Sequence, residues 1–299
     1  MNGIVVVDKP GGISSAGVVA RIKALFEARK VGHTGTLDPL ATGVLICCLN
    51  QATRLSRFFL EGDKVYEAEM VLGTVTDTQD ATGTVTQTNP VTDVSVDRIQ
   101  KTMSRFVGAI TQVPPAYSAL KHRGMPLYRL ARRGVSVEKP ARKIRINRLV
   151  LHDVRLPTVR FSVSCSAGTY VRTLCDDIGR ELGCGGHLKA LRRTASCGYC
   201  IDDAVDFERL SQCKERGCLE KVVIPMKDAL SFMPTTVADD RLAKKISNGM
   251  KLSKIDFPVL PQVSGQGVFK VVDPQDHLIA VLTGATETGR LNYCCVFSV

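Results

Sequence analysis

The sequence has no tryptophan, and aromatic residues make up only 5% of its 299 positions. A core built from this chain must therefore rely on aliphatic side chains, which its 44% hydrophobic content supplies. No run of about 18 apolar residues occurs, so we expect no transmembrane helix. The first residues, MNGIVVVDKP, lack a basic segment followed by a long apolar one, so we expect no signal peptide. These absences favour a cytoplasmic protein.

Several motifs of common enzyme classes are also missing. The chain has no Gly-rich Walker loop and no G-x-G-x-x-G after a strand, so it shows no sign of a nucleotide cofactor. It has no G-x-S-x-G segment of the kind that carries a hydrolase nucleophile. Its five histidines are scattered and show no ligand pairing. We therefore expect neither a cofactor nor a metal.

The eleven cysteines need a separate explanation. In a reducing cytoplasm they would not form a disulfide framework. Cys197, Cys200, Cys213 and Cys218 have a spacing that resembles a zinc site, and a zinc-binding nucleic-acid protein is the corresponding alternative. Against zinc, Cys213 falls in a helix-like segment and no glycine knuckle surrounds the second pair. We favour the interpretation that cysteine serves here as a small hydrophobic residue.

Positive charge is abundant. The chain has 40 Lys and Arg against 29 Asp and Glu, a net charge of +11, which favours a nucleic acid or a membrane surface as partner. Between residues 121 and 145 nine basic residues face one acidic residue, with tyrosines at 117 and 128 nearby. A solvated charged loop is the alternative, but we interpret residues 111–145 as a surface that grips an RNA backbone.

Residues 32–45, GHTGTLDPLATGVL, begin as a polar loop and end as an apolar run. Glycine lets the backbone approach a ligand closely, and a proline at 39 keeps Asp38 away from the helical backbone region. A lone carboxylate on a stiff loop that leads into a buried strand suggests a catalytic acid. The alternative is a solvated turn in which Asp38 caps local backbone groups.

Two further side chains are candidate partners of Asp38. The strand predicted over residues 64–72 alternates, which points Tyr66 toward the core or toward the floor of a cleft. Arg172 lies at the start of a helix predicted from residue 168 to 182, and a cation there would keep a part-buried aspartate ionised. The alternative for Arg172 is a surface ion pair with Asp176, four residues later.

The composition changes after residue 233. Residues 234–299 predict a short helix over 239–247 with a C-capping glycine at 249, followed by strands near 258–263, 267–272, 278–282 and 293–298. We therefore predict a main domain at 1–233 and a small β-rich domain at 234–299.

Seven motifs in order carry a family resemblance. They are VDKPGGISS at 7–15, GHTGTLDPLATGVL at 32–45, KVYEA at 64–68, LGTVTDTQDATG at 72–83, PPAYSALKHRGMPLYRLARRG at 114–134, CSAGTYVRTLCDDIGREL at 165–182 and HLKALRRTASCGY at 187–199. Each is modestly specific alone. Together, over nearly the whole chain, they resemble the TruB family of pseudouridine synthases, in particular its bacterial tRNA pseudouridine-55 type.

The resemblance implies a fold and an activity. It implies an α+β fold, with a mixed, largely antiparallel central sheet flanked by helices and a small PUA-like RNA-binding domain at the C-terminus. It implies isomerisation of uridine 55 in the T-loop of tRNA, with base flipping and without metal or cofactor. We expect a monomer that needs no guide RNA and no protein partner. A non-catalytic module that binds or folds tRNA with the same basic surface is the alternative.

The resemblance also implies roles for individual residues. Asp38 would attack the ribose or assist the departure of uracil, Tyr66 would stack on the flipped base and help to remove its C5 proton, and Arg172 would pair with Asp38. His33 would take the place of the flipped base in the T-loop stack. The other residues expected at the RNA interface are Lys9, Gly35, Tyr117, Lys121, Arg129, Arg132, His187 and Arg192. Lys9 matches a motif near the pocket that supports the tyrosine, and a structural role is the alternative for it.

Overall fold

The computed structural model describes residues 1–115, 117–118, 121–122, 124–126, 139–257, 259–261, 267–284 and 289–298. As predicted, the fold is mixed, with one large sheet flanked by helices and a smaller sheet near the C-terminus. The α-helices in the described part are Ser15–Leu25, Ser56–Leu60, Val96–Ser104, Val171–Glu181, Phe207–Glu215, Met226–Ala229 and Asp240–Ser247.

The strands are numbered in chain order. Those of the first half are β1 (Gly3–Lys9), β2 (Val31–His33), β3 (Thr42–Leu49), β4 (Lys64–Leu72), β5 (Thr74–Thr76), β6 (Val85–Thr88), β7 (Gly108–Gln112), β8 (Lys121–His122), β9 (Met125–Pro126), β10 (Arg142–Arg155) and β11 (Thr158–Cys165). Those of the second half are β12 (Gly186–Ser196), β13 (Tyr199–Cys200), β14 (Ile224–Pro225), β15 (Thr235–Val237), β16 (Leu252–Ser253), β17 (Val268–Val272), β18 (Leu278–Thr283), β19 (Arg290–Leu291) and β20 (Tyr293–Val296).

The large sheet has the strand order β14-β1-β3-β12-β4-β11-β10-β7, with β2 added beside β3 and β13 beside β12. Its pairs are antiparallel except β12 with β3, so the prediction of a mixed, largely antiparallel sheet is confirmed. Because β12 joins β3 to β4, the loop before β3 and the face of β4 come together at the centre of the sheet.

The middle of the large sheet is buried on both faces. Alternate residues of β1 divide between two hydrophobic clusters, with Val5 and Val7 in one and Ile4 and Val6 in the other. This is the two-residue period of a strand covered on both sides, which is why β1 and the second half of β3 are continuous apolar runs. Adjacent Cys47 and Cys48 of β3 follow the same pattern and are fully buried as small core residues.

A four-stranded sheet, β15-β17-β18-β20, lies in the C-terminal part. The predicted helix over 239–247 and three of the predicted strands correspond to Asp240–Ser247, β17, β18 and β20. The fourth predicted strand, near 258–263, lies largely outside the described residues, and its described part, 259–261, is not strand. Leu278 and Phe297 pack in the same cluster as Phe59, which joins this sheet to the large one.

The strands that sequence analysis did not predict include two in polar segments. Residues 187–194, which it named only as part of the motif at 187–199, lie inside β12 at the centre of the large sheet. Residues 74–83, which it named only as part of the motif at 72–83, open with β5, which pairs with β6. Both segments are rich in polar residues; β12 pairs with β3 and β4, far earlier in the chain, whereas β5 and β6 form a local antiparallel pair. Among the described residues, no helix combines the length and the apolarity that crossing a membrane requires.

Candidate active site

The loop between β2 and β3 carries Asp38, and Ser15 holds this loop from one side. The Ser15 Oγ accepts the N–H of Leu37 at 2.8 Å and donates to the carbonyl oxygen of Leu37 at 3.0 Å. Ser15 is buried in the first turn of its helix, so these bonds are shielded from water. Ser15 thereby holds both the N–H and the carbonyl oxygen of Leu37, the residue before Asp38.

The ammonium group of Lys9 also binds the loop that carries Asp38. Its Nζ donates to the carbonyl oxygens of Ile13 at 2.6 Å and Pro39 at 3.3 Å, and its side chain is fully buried. Burial lowers the pKa of Lys9 to about 8, although the nearby carboxylate of Asp38 opposes the shift. Sequence analysis expected Lys9 at the RNA interface. The structure instead places it beneath the loop, where it holds Pro39 and thus the position of Asp38.

The guanidinium of Arg172 lies between two carboxylates. Its Nη2 donates to Asp38 Oδ1 at 3.3 Å, and its Nε lies 2.8 Å from Asp38 Oδ2 as an ion pair without a well-directed hydrogen bond. Its Nη1 lies 3.6 Å from Asp80 Oδ2. Asp176, which was the alternative partner, pairs with Arg180. The structure therefore brings Arg172 to Asp38.

Backbone oxygens fix the remaining nitrogens of this guanidinium. Arg172 donates to the carbonyl oxygens of Thr78 and Tyr117, each at 2.9 Å. Asp80 in turn accepts hydrogen bonds from the hydroxyls of Thr78 at 2.8 Å and Thr82 at 2.6 Å. Sequence analysis did not single out Asp80, whose only signal was its place within the motif at 72–83. The network leaves Arg172 little rotational freedom.

Asp38 sits at the boundary between the core and the solvent. Its side chain is 31% exposed, whereas those of Arg172 and Asp80 are 4% and 5% exposed. Burial raises the pKa of Asp38, the Arg172 cation opposes this increase, and the negative charge of Asp80 adds to it. A carboxylate in this position is accessible to a ligand and held in one orientation by its cation.

Tyr66 lies on β4 and points inward, as its alternating strand predicts. It is 8% exposed, and burial raises the pKa of its phenol. Its cross-strand neighbours are Val163 on β11 and Arg193 on β12. The phenol is close enough to Asp38 for the carboxylate to contribute to its pKa. The ring therefore lies within electrostatic range of the aspartate.

Arg193 is a buried residue of this site that sequence analysis missed. It is 1% exposed, and its guanidinium donates to the carbonyl oxygens of Val44 at 2.7 Å and Gly35 at 3.1 Å. Its only signal was the motif at 187–199. Within that motif its charge suggested a surface position, because arginine is seldom fully buried.

His33 and Gly35 lie at the start of the loop that carries Asp38. His33 is half-buried at the end of β2, and its Nδ1 accepts the N–H of Gly35 at 3.4 Å. Burial and the nearby Arg193 cation lower the pKa of His33, which favours a neutral imidazole at pH 7. Gly35 has φ +130°, and a Cβ there would lie 3.6 Å from Arg193 Nη1, so the backbone passes close to the guanidinium.

The basic region is only partly described. The phenol of Tyr117 donates to Asp77 Oδ2 at 3.3 Å, so this ring is positioned beside the network around Arg172. Lys121 belongs to the short strand β8, and its side chain lies outside the described part. Arg129 and Arg132 lie outside the described residues, so their expected RNA contacts stay predictions.

His187 and Arg192, both on β12, are placed differently from each other. His187 is 8% exposed and its Nδ1 lies 2.8 Å from the carbonyl oxygen of Thr74, which ties β12 to β5 rather than presenting the ring to a ligand. Arg192 is 38% exposed at its side chain and pairs with both carboxylate oxygens of Asp8, at 3.1 and 2.8 Å. Only Arg192 of the two offers a surface cation.

The cysteines do not form a ligand cluster in the described part of the chain, where no group of three or more His, Cys, Asp or Glu side chains is arranged to hold a metal. Cys197 donates its thiol hydrogen to the carbonyl oxygen of Phe59 at 2.6 Å. Cys213 is buried at 5% exposure in its helix. Among the described residues, the four cysteines of the zinc-like spacing are not part of any such group.

The assembled groups define what chemistry is available. One accessible carboxylate is held by a rigid cation, and a buried phenol lies nearby. A carboxylate in such a setting serves as a nucleophile or as an electrostatic stabiliser of positive charge on a sugar. A phenol serves as an aromatic stacking surface and as a proton donor or acceptor.

Family models match residues 23–231 of the chain. The model described as the N-terminal domain of TruB family pseudouridylate synthases matches residues 23–171, and that of the tRNA pseudouridylate synthase B C-terminal domain matches residues 172–231. The junction of the two models falls between β11 and β12, which belong to the same sheet.

Curated relatives match over almost the full length. A tRNA pseudouridine synthase B of Burkholderia mallei is 43% identical over 283 residues, which cover 94% of this chain and 92% of the relative. One of Nitrosococcus oceani is 40% identical over 293 residues, with 97% and 93% covered. Among solved structures, a Cbf5-Nop10-Gar1 complex contains a chain with a TM-score of 0.78 and 27% identity, covering 99% of this chain and 85% of that one.

Proposed function

Because the chain belongs to the TruB family of pseudouridylate synthases, we propose that it isomerises uridine 55 in the T-loop of tRNA to pseudouridine. The relatives named tRNA pseudouridine synthase B support tRNA as the substrate. The observation that carries the residue assignment is the ion pair between Asp38 and Arg172, set beside the buried phenol of Tyr66. We further propose that the reaction takes place in the cytoplasm.

Asp38 acts as an ionised carboxylate. The N1–C1′ bond of the uridine breaks, the detached uracil turns, and a C5–C1′ bond forms. The carboxylate either bonds to the sugar in the interval or stabilises its positive charge. The C5 proton is lost and N1 gains one, so atoms and charge balance without an external reactant. Arg172 keeps Asp38 ionised and fixes its orientation through the 2.8 Å contact.

Tyr66 contacts the uracil ring. The target base must leave its stack to reach Asp38, at a cost of a few kcal/mol. The aromatic ring of Tyr66 provides a surface on which the extruded base stacks, and its phenol takes part in transfer of the C5 proton. His33, neutral and half-buried on the rim, stacks in the place that the base has left.

The rest of the chain holds the RNA. The basic residues of 111–145, together with Arg192, contact phosphates of the T-arm, and the net charge of +11 supports a polyanionic ligand. We propose that residues 1–233 form the catalytic domain and residues 234–299 a PUA-like domain that contacts the acceptor stem. We also propose that one protein molecule acts alone, without a guide RNA.

The decisive experiment uses the purified protein and an unmodified tRNA transcript, with nothing else added. Pseudouridine is mapped by carbodiimide-dependent primer-extension stops. We expect one stop at position 55. A stop elsewhere would reject the assigned position. A reaction that requires added cell extract would reject the claim that the protein acts alone.

Asp38→Asn separates catalysis from binding. The amide keeps the size of the side chain but not its charge, so we expect the stop to weaken by at least about 10³-fold while tRNA affinity changes little. Asp97→Asn, at an exposed aspartate in the helix Val96–Ser104, is the matched control. If wild-type protein binds tRNA but leaves no stop, the alternative of a non-catalytic tRNA-binding module is correct.

A further inference from the structure

Arg193 occupies a special place in the large sheet. It lies on β12 directly opposite Tyr66 on β4 and opposite Gly43 on β3. Gly43 has φ +101°, and a Cβ at this position would lie 2.2 Å from the carbonyl oxygen of Arg193. The backbone of Arg193 is therefore in close contact with the end of the loop that carries Asp38.

The guanidinium of Arg193 is buried without a carboxylate partner. Among the residues that the structure describes, no Asp or Glu oxygen forms an ion pair with it, and its charge lowers the pKa of two further cations, Lys9 and Lys64. A buried charge that lacks a counter-ion is costly. The two backbone carbonyl oxygens that Arg193 binds offset only part of that cost. This indicates that the positive charge acts on another side chain of the site.

That group is the phenol of Tyr66, whose residue lies directly opposite Arg193 on the neighbouring strand and whose pKa the guanidinium lowers. A guanidinium only donates hydrogen bonds, so in a hydrogen bond between the two side chains the phenol oxygen accepts and its own hydrogen is left for another partner. Cys165 and Asp38 also face the phenol, and both act with burial to raise the pKa of Tyr66, whereas Arg193 lowers it. Arg193 is the cation that opposes burial at this tyrosine.

We propose that Arg193 is a positioning residue for Tyr66. It holds the phenol oxygen as an acceptor, leaves the phenol hydrogen free to face the cleft, and stabilises the oxygen when it carries negative charge. Through Gly35 and Val44 it ties Tyr66 to the loop of Asp38, so the two groups keep a constant separation. The inference rests on the proposed function only for the role of Tyr66 in the reaction.

The first test measures Tyr66 itself and needs no activity. The six tyrosines are labelled with ¹³C at Cζ, and the signal of Tyr66 is assigned by its loss in Tyr66→Phe. In Arg193→Met we expect the titration of Tyr66 to move upward by at least about one pH unit, and Arg193→Lys to restore part of the shift. Arg192→Met, at the neighbouring surface arginine, should leave the Tyr66 titration in place. A folded Arg193→Met protein with an unmoved Tyr66 signal would overturn the proposal.

The second test measures kinetics on the tRNA transcript. We expect Arg193→Met to lower kcat by at least about tenfold with KM within about twofold, because the residue acts on a catalytic group rather than on binding. Single-turnover rates should show no further loss when Arg193→Met is added to Tyr66→Phe. An equal loss in both backgrounds would mean that Arg193 acts independently of the phenol, contrary to the proposal.

A third measurement covers the case in which both Arg193 variants fail to fold. The guanidinium ¹⁵N signals of Arg193 are compared between wild type and Tyr66→Phe. We expect these signals to shift while those of Arg172 stay constant, and unchanged Arg193 signals would overturn the proposal. The NMR measurements do not depend on pseudouridine formation. A failure of the proposal for Arg193 can therefore be distinguished from a failure of the proposed function.

Discussion

The Nε of Arg172 lies 2.8 Å from the Oδ2 of Asp38, although the two residues are 134 positions apart in the chain. The same guanidinium lies 3.6 Å from Asp80 Oδ2, so one buried cation is shared by two carboxylates. The pKa of Asp38 is set by burial, which raises it, against Arg172, which lowers it, with Asp80 adding to the increase. Changes at the two neighbours therefore have opposite effects on Asp38.

Removal of the Arg172 charge shifts the acid limb of the activity upward. In Arg172→Met the pKa of Asp38 loses its main opposing influence, so the fraction of ionised Asp38 at a given pH falls. We expect the acid limb of the pH profile of kcat/KM to move up by at least about one pH unit. Single-turnover pseudouridine formation across pH 5–8 measures this. The prediction would be contradicted if Arg172→Met lowered the rate at every pH but left the acid limb of the pH profile at the same pH.

Asp80→Asn shifts the same limb the other way. The negative charge of Asp80 raises the pKa of Asp38, so its removal lowers that pKa and keeps Asp38 ionised at lower pH. We expect a downward shift of about half a pH unit to one unit. The plateau rate also falls, because Asn offers fewer acceptor sites to Thr78 and Thr82. Asp77→Asn, at an exposed position of the same loop, is the comparison variant.

Lys9 gives the fold a pH dependence of known sign. Its pKa is about 8 in the folded protein against 10.5 for an ordinary lysine. Between these values the unfolded chain binds more protons than the folded one, so the Lys9 contribution to the free energy of unfolding rises as pH increases from 8 to 10.5. Denaturant unfolding should show a rise of up to about 3 kcal/mol that is missing from Lys9→Met. Parallel pH curves for the two proteins would contradict it.

Gly43→Ala tests the contact between β3 and β12. The added Cβ would meet the Arg193 carbonyl oxygen at 2.2 Å, in addition to the strain of φ +101°. The atoms that the Cβ would meet belong to the backbone of Arg193, so they cannot rotate away. We therefore expect a loss of more than about 4 kcal/mol in stability or a failure to fold. Gly217→Ala, at φ +64° with no atom near the added Cβ, should cost only about 1 kcal/mol. Similar losses at both glycines would reject the steric argument.

Most of the regular elements were predictable because the spacing of apolar residues along a helix or strand shows which of its faces is buried. The strand predicted over 64–72 is β4 to the residue, with Tyr66 turned inward. Serine is a preferred residue before the first turn of a helix, and Ser14 accepts a hydrogen bond from the N–H of Gly17 at the start of the first helix. The segment 187–194 was not recognised as a strand, because its basic residues do not alternate cleanly with apolar ones.

At the site, the sequence indicated residue types but not their arrangement. Asp38 stood out because of its loop, and Arg172 because a carboxylate needs a cation. Asp80 and Arg193 did not stand out, since a charged residue taken alone predicts a solvated position. His187 shows the same limit, because it was expected at the RNA interface and is buried against β5.

Patterns along the chain were enough to establish the mixed composition of the fold, the inward face of β4, the basic character of the surface and, through the ordered motifs, the family. The sharing of Arg172 between Asp38 and Asp80, and the burial of Arg193 opposite Tyr66, became visible in the folded protein alone. This is because periodicity depends on neighbours within a few residues. Ion pairs and cross-strand contacts depend on strand order and register, which join residues more than a hundred positions apart.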